Sequence, residues 1–256
     1  MTVRNGLPLI KEAIDSVLAQ EDIVFELIVV DDGSVDGTGE FLRAFRGCHN
    51  VVVMIGPQSG RATALNRAAS KAKYEFLCNI DADDVLHPRH GFAFSEKLRK
   101  GACDVICSRP HVFSEVPPVW NLVKVPLAFG IVNRELMRRN PVCHSGAIIR
   151  RRSFWSIGGY DESRASQLDY DLWVRVAAAG GVIERTDERL VGKRIHRQQS
   201  YENKRRVRYI RNSIGVQRRA IQNFGGGFYD YALLLARCAY LVAPQGLRAW
   251  LSRRGI

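Results

Sequence analysis

The sequence predicts an α/β protein in which a mainly parallel, Rossmann-like sheet is flanked by helices. Short runs rich in Val, Ile and Leu alternate with longer segments whose apolar residues recur every three or four positions. Two of the apolar runs end directly in acidic turns, at residues 31–34 and 81–84. Of the 256 residues, 46% are hydrophobic, which suffices for the core of one large domain.

The first half of the chain alternates helices and strands. Its first helix begins near Pro8, because proline at that point lacks only an N–H that would be unpaired anyway. The next elements are predicted as strand 26–30, helix 36–45, strand 51–55, helix 61–73 and strand 74–80. Strands joined by helices of this length form right-handed crossovers, so we expect the strands to run parallel.

The middle of the chain is less regular. Its elements are predicted as helix 88–100, strand 104–108, a strand around 147–149 and helix 169–179. The segment 110–126 contains four prolines and is predicted to be an irregular loop over the site. Gly180 and Gly181 end the last helix, as glycines commonly do.

The C-terminal part differs in composition, which divides the chain into a domain over 1–200 and a basic helical tail over 201–256. Between Lys193 and Arg219 there are ten Lys or Arg and one acid, Glu202. Such basic amphipathic segments bind anionic membrane surfaces. The apolar residues expected to insert shallowly are Leu233, Leu234, Leu235, Leu241, Trp250 and Leu251. The alternative is that the tail packs as ordinary helices against the first domain.

The net charge of +12 predicts an anionic partner. Nucleic acid, an acidic membrane surface and a phosphorylated substrate all satisfy this condition, and no nucleic-acid-binding motif is present. The six cysteines are scattered, which indicates reduced thiols and a cytoplasmic protein. Because no apolar run approaches the ~20 residues that cross a bilayer, we expect peripheral binding at the inner membrane face.

The second acidic turn has the pattern Asp-x-Asp, formed by Asp81 and Asp83. Two carboxylates at the end of a buried strand suit a hard divalent cation that itself binds a diphosphate. Aspartates are also common in turns for purely conformational reasons. Two acidic turns at the carboxyl edge of one sheet, where open α/β folds bind ligands, favour the functional interpretation.

These motifs resemble family 2 glycosyltransferases. The run VVDDGSVDGT at residues 29–38 and the run NIDADD at residues 79–84 are similar to the two hallmarks of that family. Further runs that match it in order are AIDSVLAQ at 13–20, GRATALNRA at 60–68, CHSG at 143–146, GGYD at 158–161, DYDLW at 169–173 and RIH at 194–196. The resemblance covers about residues 1–200.

The resemblance implies a GT-A fold, a nucleotide-sugar donor, Mn²⁺ or Mg²⁺ as cofactor, and a glycan or lipid-linked acceptor. The anomeric carbon would be inverted in a single displacement. The residues placed on the donor side are Val3, Asn5, Asp31 or Asp32, Arg61 and Asp81. Asp83 would be a direct metal ligand, and His196 would approach the metal or the diphosphate.

The same resemblance makes Asp169 the general base that takes the proton of the acceptor hydroxyl, a role that suits a carboxylate. The residues placed on the acceptor side are His144, Gly159, Tyr160 and Trp173. Each also has a purely structural interpretation. His144 would be a hydrogen-bonded structural histidine, Trp173 a core residue, Gly159 a turn requirement and Asp169 a helix N-cap.

Two departures from the family pattern bear on activity. Leu168 stands where the family usually has a glutamate before the base, and Met1 falls inside the expected first strand. We therefore expect the encoded chain to continue upstream with an apolar segment. The competing functions are a degenerate transferase that only binds nucleotide, a sugar nucleotidyltransferase, whose phosphate loop is absent, and a basic nucleic-acid-binding protein.

Overall fold

The computed structural model describes residues 1–101, 103–123, 125–196 and 206–242. The strands are β1 (Thr2–Val3), β2 (Leu27–Asp32), β3 (Val51–Gly56), β4 (Phe76–Cys78), β5 (Val85–Leu86), β6 (Val105–Phe113), β7 (Gly130–Ile131), β8 (Ile148–Arg150) and β9 (Ile183–Arg194). The helices are α1 (Ile10–Leu18), α2 (Thr38–Arg43), α3 (Arg61–Lys71), α4 (His90–Arg99), α5 (Arg151–Ser156), α6 (Leu168–Ala178), α7 (Arg206–Asn223) and α8 (Phe228–Val242), with a 3₁₀ helix over Asn133–Met137.

The strands form two sheets. The first is wholly parallel, in the order β1-β2-β3, as the alternating pattern predicts. The second has the order β4-β8-β6-β9-β5, with β7 also on β9, and only β6 and β9 run parallel in it. The α/β class is therefore confirmed, whereas the second sheet is mixed.

The mixed sheet has a local cause at β8. The chain enters β8 from the carboxyl end of β4, where the Gly146 amide donates to the Asn79 carbonyl (2.8 Å). From that position β8 runs back along β4, and the two strands are antiparallel. Sequence periodicity carries no information about this return, because it depends on contacts between distant segments.

Strand β6 is longer than predicted. It continues through Pro110 to Phe113, so the first residues of the segment expected to be irregular are part of a strand. The β6–β9 register shifts on both sides of Arg109, which accommodates a proline that cannot donate to the ladder.

Buried apolar side chains on two helices hold the first sheet. Helix α1 buries Ile10, Ala13, Ile14 and Val17, and helix α3 buries Ala62, Ala64, Leu65 and Ala68. An apolar cavity of about 500 Å³ lies beside β1, lined by Met1, Ile28 of β2 and Leu77 of β4 among others. The expectation that the chain continues upstream of Met1 stays a prediction.

Helices α7 and α8 pack against the rest of the fold. Val216 and Ala220 of α7 are buried in the core cluster that contains α6, and Leu234 of α8 packs on Met137. The expected insertion of Leu234 into a membrane is therefore wrong, because protein already covers this side chain. Residues 197–205, Trp250 and Leu251 lie outside the described residues.

In contrast, Phe228 (89% exposed) and Leu235 (69% exposed) of α8 face solvent. None of the helices in the described part of the chain combines the length and the apolar character needed to cross a bilayer.

Candidate active site

The first acidic turn lies at the carboxyl end of β2, where Asp31 and Asp32 are both buried. The Asp32 carboxylate accepts hydrogen bonds from the Ser59 amide (2.6 Å), the Ser59 hydroxyl (2.8 Å) and the Gly60 amide (3.0 Å). Asp31 accepts one from the Ser34 amide (2.9 Å) through Oδ1. Asp32 thus fixes the start of α3, whereas Asp31 Oδ2 has no hydrogen bond among the described residues.

Val3 and Asn5 lie beside this turn. Val3 is buried and pairs with Asp31 in the β1–β2 register. Asn5 has φ of 56°, its amide donates to Ser34 Oγ (2.8 Å), and its Oδ1 accepts a hydrogen bond from the Val35 amide (2.9 Å). These bonds join the loops after β1 and β2 into one rim.

The second acidic turn brings three carboxylates together. Oxygen atoms of Asp81, Asp83 and Asp84 all lie within 4.8 Å of one another. Asp83 Oδ2 lies 3.0 Å from His196 Nε2. Asp84 is the most buried of the three and accepts a hydrogen bond from Ser145 Oγ (2.5 Å).

The carboxylate cluster fits a divalent cation. Burial and the neighbouring Asp81 and Asp83 raise the pKa of Asp84 to about 8. Burial is the larger cause of this shift, and repulsion from the two neighbouring carboxylates adds to it. Carboxylate oxygens are the ligands that Mg²⁺ and Mn²⁺ prefer, and a bound cation would offset the repulsion.

Arg61 and His144 flank Asp81. The Arg61 guanidinium, in the first turn of α3, donates to Asp81 Oδ1 (2.6 Å), and His144 Nδ1 lies 3.3 Å from the same oxygen. Burial would raise the pKa of Asp81, but Arg61 and His144 hold it well below its usual value. Asp81 in turn raises the pKa of Arg61. Both groups of the pair therefore stay charged.

His144 is hydrogen-bonded at both ring nitrogens. Its Nδ1 lies 2.9 Å from Asn79 Nδ2, and its Nε2 lies 2.8 Å from the hydroxyl of Tyr160. Tyr160 is held in turn by its backbone, which exchanges two hydrogen bonds of 2.9 Å with the Asn66 side chain. The structural interpretation of His144 is supported by this network, which also places the ring against Asp81.

Gly159 has a backbone requirement. Its φ is 68°, and a Cβ there would approach Asn66 Oδ1 to 2.7 Å. The glycine lets the chain pass close to the side chain that holds Tyr160.

Asp169 lies in the first turn of α6, not at its N-cap, which is Gln167. Its Oδ2 accepts a hydrogen bond from Asn140 Nδ2 (2.7 Å), and its Oδ1 has no partner among the described residues. Asp169 and His144 both line a cavity of about 610 Å³. A carboxylate with one unoccupied oxygen on a cavity wall is placed to accept a proton from a bound hydroxyl.

His144 joins the two halves of the site, because it touches Asp81 on one side and lines the cavity of Asp169 on the other. Trp173 is not brought to the site. It is 1% exposed in the core cluster, as its structural interpretation predicts. Leu168 is buried in the same cluster, so the position before Asp169 supplies no acceptor-binding group.

Sequence reasoning missed several polar residues of the site. Asp84 and Ser145 lie in the runs NIDADD and CHSG, directly after Asp83 and His144, and this position is a signal in the sequence. Asn140 and Lys193 carry no local signal, because only the folded chain brings them to the cavity of Asp169.

Comparison with solved structures shows that the chain has a GT-A-type fold. The structure of S. aureus TarS 1–349 in complex with UDP-GlcNAc superposes with a TM-score of 0.71 at 16% identity, over 96% of this chain and 76% of that one. The mannosyltransferase PcManGT of Pyrobaculum calidifontis, with GDP-Man and Mn²⁺, has a TM-score of 0.64 at 17% identity, over 99% and 77% of the two chains. At these identities the likeness concerns the fold.

The chain belongs to glycosyl transferase family 2, whose model matches residues 1–158. A similar curated protein is the chondroitin synthase of Pasteurella multocida, 26% identical over 175 residues. That match covers 67% of this chain and 18% of the synthase, so the chain spans less than a fifth of that relative.

Proposed function

We propose that the chain transfers a sugar from a nucleoside diphosphate donor to a hydroxyl of a glycan or lipid-linked acceptor, with inversion at the anomeric carbon. The observation that carries the proposal is the junction at His144, where a strand-end carboxylate cluster meets a cavity lined by a carboxylate with an unoccupied oxygen. A single displacement needs a base for the acceptor hydroxyl and positive charge at the leaving diphosphate. The cavity carboxylate would supply the base, and the carboxylate cluster would hold a cation for the diphosphate.

The donor lies along the rim formed by the two acidic turns. Val3, Asn5 and Asp31 contact the nucleoside, and the two groups of the Arg61–Asp81 pair face the ribose and diphosphate. The first acidic turn supports this placement. Asp31 Oδ2 accepts no hydrogen bond among the described residues, whereas both carboxylate oxygens of Asp32 accept hydrogen bonds from Ser59 and Gly60 before α3.

Asp83 and its neighbours Asp81 and Asp84 would hold Mn²⁺ or Mg²⁺, with His196 beside Asp83. A cation bound there supplies charge that stabilises the departing diphosphate. Arg61 adds a fixed positive charge at the same edge, so the leaving group meets positive charge without rearrangement of the protein.

Asp169 acts as the general base. Its carboxylate accepts the proton of the acceptor hydroxyl as that oxygen bonds to the anomeric carbon, and the bond from this carbon to the diphosphate breaks on the opposite face. Asn140 orients the carboxylate through its hydrogen bond to Oδ2. The proton is lost late in such a displacement, which suits a weak carboxylate base.

A nucleotide-release assay with Mn²⁺ tests the proposal. UDP-GlcNAc and GDP-mannose, which the structural neighbours bind, are the first donors to test, with other UDP-sugars and simple glycoside acceptors after them. We expect acceptor-dependent release for one donor. Nucleotide binding without release from any donor would favour a degenerate transferase, and no binding of any nucleotide would contradict the proposal.

We further propose a place in the assembly of a surface polysaccharide or glycolipid, with the protein bound peripherally to an anionic membrane surface. The net charge of +12 and the exposed apolar side chains of Phe228 and Leu235 on α8 support this location. The similarity to a chondroitin synthase supports the pathway class.

A further inference from the structure

The cavity beside Asp169 is rich in cations. Arg138 and Arg139 line it from the end of the 3₁₀ helix, Lys193 from β9 and Arg237 from α8. Of its described lining residues, Asp169 alone is acidic. The cavity is therefore positive overall, although it contains the proposed general base.

Two of these cations are already neutralised. Arg138 Nε lies 3.1 Å from Asp230, and Arg139 pairs with Glu135 at 2.6 Å. These pairs leave little net charge for a ligand.

The other two cations have no carboxylate partner among the described residues. Arg237 donates to Gln217 Oε1 (2.6 Å) and to Ser213 Oγ (3.0 Å), both neutral and both buried. A guanidinium has five N–H donors, so three remain for a ligand. The Lys193 ammonium makes no hydrogen bond or ion pair with any described residue, although this side chain lines the same cavity.

The buried partners of Arg237 give it a fixed position. Gln217 is itself held, because its Nε2 donates to the Met137 carbonyl (3.1 Å). A guanidinium held in this way presents its remaining N–H groups in one plane, which matches the oxygen pair of a carboxylate or phosphate. The Arg237 guanidinium is therefore held in position before a ligand binds.

We propose that the acceptor carries an anionic group, a carboxylate or a phosphate, which Arg237 and Lys193 bind while its hydroxyl lies at Asp169. This inference rests on the proposed transferase function and names the acceptor class of the same site. It also gives α8 a role in substrate selection, because Arg237 is the only cavity-lining residue that the described part of this helix contributes.

The donor diphosphate is a second source of negative charge for Lys193. Burial lowers the pKa of Lys193, but its neighbours Cys143, Asp84, Asp81 and Asp169 raise it overall. Lys193 lines the cavity next to residues of both halves of the site, Cys143, His144 and Asp169. Arg237 distinguishes an anionic acceptor from the donor diphosphate, because Gln217 and Ser213 of α7 hold its guanidinium at the cavity.

The test measures binding of paired probes by calorimetry, with and without saturating UDP or GDP and Mn²⁺. The carboxylate pair is p-nitrophenyl β-D-glucuronide and p-nitrophenyl β-D-glucoside, and the phosphate pair is glycerol 1-phosphate and glycerol. We expect at least one charged probe to bind about tenfold more tightly than its neutral partner, the gain of one charge-assisted hydrogen bond. The pair that shows the preference identifies the anion.

Arg237→Gln should abolish the preference, and Arg237→Lys should retain part of it. Arg218→Gln, which removes an exposed charge from α7, is the matched control and should change nothing. Nucleotide affinity should be the same in all three variants. Thermal unfolding checks the fold, and Lys193→Gln is the second variant if Arg237→Gln is unfolded.

Equal binding of charged and neutral probes by the unmodified protein would overturn the inference, as would equal losses in Arg237→Gln and Arg218→Gln. A loss of nucleotide affinity in Arg237→Gln, with probe binding unchanged, would overturn it in favour of a diphosphate contact. Failure of every nucleotide to bind would contradict the transferase function. Nucleotide binding is measured in a separate titration from probe binding, so the two failures can be told apart.

Discussion

The Arg61 guanidinium donates to the Asp81 carboxylate over 2.6 Å and thereby joins the start of α3 to the second acidic turn. Half of the Arg61 side chain is exposed, so the cation is open to a ligand while it is held in place. A charged group with this arrangement can bind a phosphate without first being ordered.

Arg61→Gln should weaken binding of the nucleoside diphosphate about tenfold, because one charge-assisted hydrogen bond is lost. The loss should be similar with and without Mn²⁺, since Arg61 would touch the phosphates directly. Calorimetry with UDP and GDP measures it. The control is Arg67→Gln, which removes an exposed charge from the same helix. An unchanged affinity in Arg61→Gln would remove this residue from the donor site.

Asp83→Ala should behave differently from Arg61→Gln. Because the Asp83 carboxylate would act through the cation, nucleotide affinity should fall when Mn²⁺ is present and change little in its absence. Metal-dependent release of nucleotide should be lost. The matched control, Asp187→Ala, removes an exposed carboxylate outside the cluster. Equal losses with and without Mn²⁺ would mean that Asp83 contacts the nucleotide directly or only shapes the turn.

Asp169→Asn should leave donor binding near normal and lower transfer by a factor of ~10²–10⁴, the usual range for removal of a general base. The amide oxygen can still accept the hydrogen bond from Asn140, so the fold of the site should survive. Steady-state rates with a saturating donor measure the effect. Asp161→Asn is the control, because among the described residues the Asp161 carboxylate bonds only to nearby Ser163 and Arg164. Full activity of Asp169→Asn would exclude it as the base.

Local patterns predicted much of the fold and one half of the site. The β2 strand and α3 helix follow from their apolar spacing, and the acidic turns share a sheet edge because each directly follows a strand. The antiparallel return of β8, the passage of β6 through Pro110 and the burial of Leu234 depend on distant contacts, which periodicity does not encode. The cavity of Asp169 belongs to the same group, because Arg237 reaches it from a helix that the sequence associates with the tail.

His90 should make stability depend on pH. It is buried, its Nε2 donates to the Gly146 carbonyl (2.9 Å), and burial lowers its pKa from 6.5 to about 4. Below pH 6.5 the unfolded chain takes up a proton that the folded state rejects, so stability is full above that pH and falls as the pH drops towards 4.

The measurement is the free energy of unfolding in urea at pH 7 and pH 5 for the unmodified protein and His90→Gln. The unmodified protein should lose about 2 kcal/mol more than the variant between these pH values. His49→Gln, at an exposed position, should lose as much as the unmodified protein. Identical losses in all three proteins would show that His90 does not control this pH dependence.

Binding to anionic vesicles tests the peripheral membrane location. The full chain should sediment with phosphatidylserine-containing vesicles at low salt and be released as salt is raised, because ionic screening weakens attraction between the basic protein and the lipid. The double variant Phe228→Ser, Leu235→Ser should bind more weakly, since it removes exposed apolar area from α8. Val24→Ser is the control, because Val24 is 82% exposed between α1 and β2. If the unmodified protein stays in the supernatant at low salt, the membrane proposal fails.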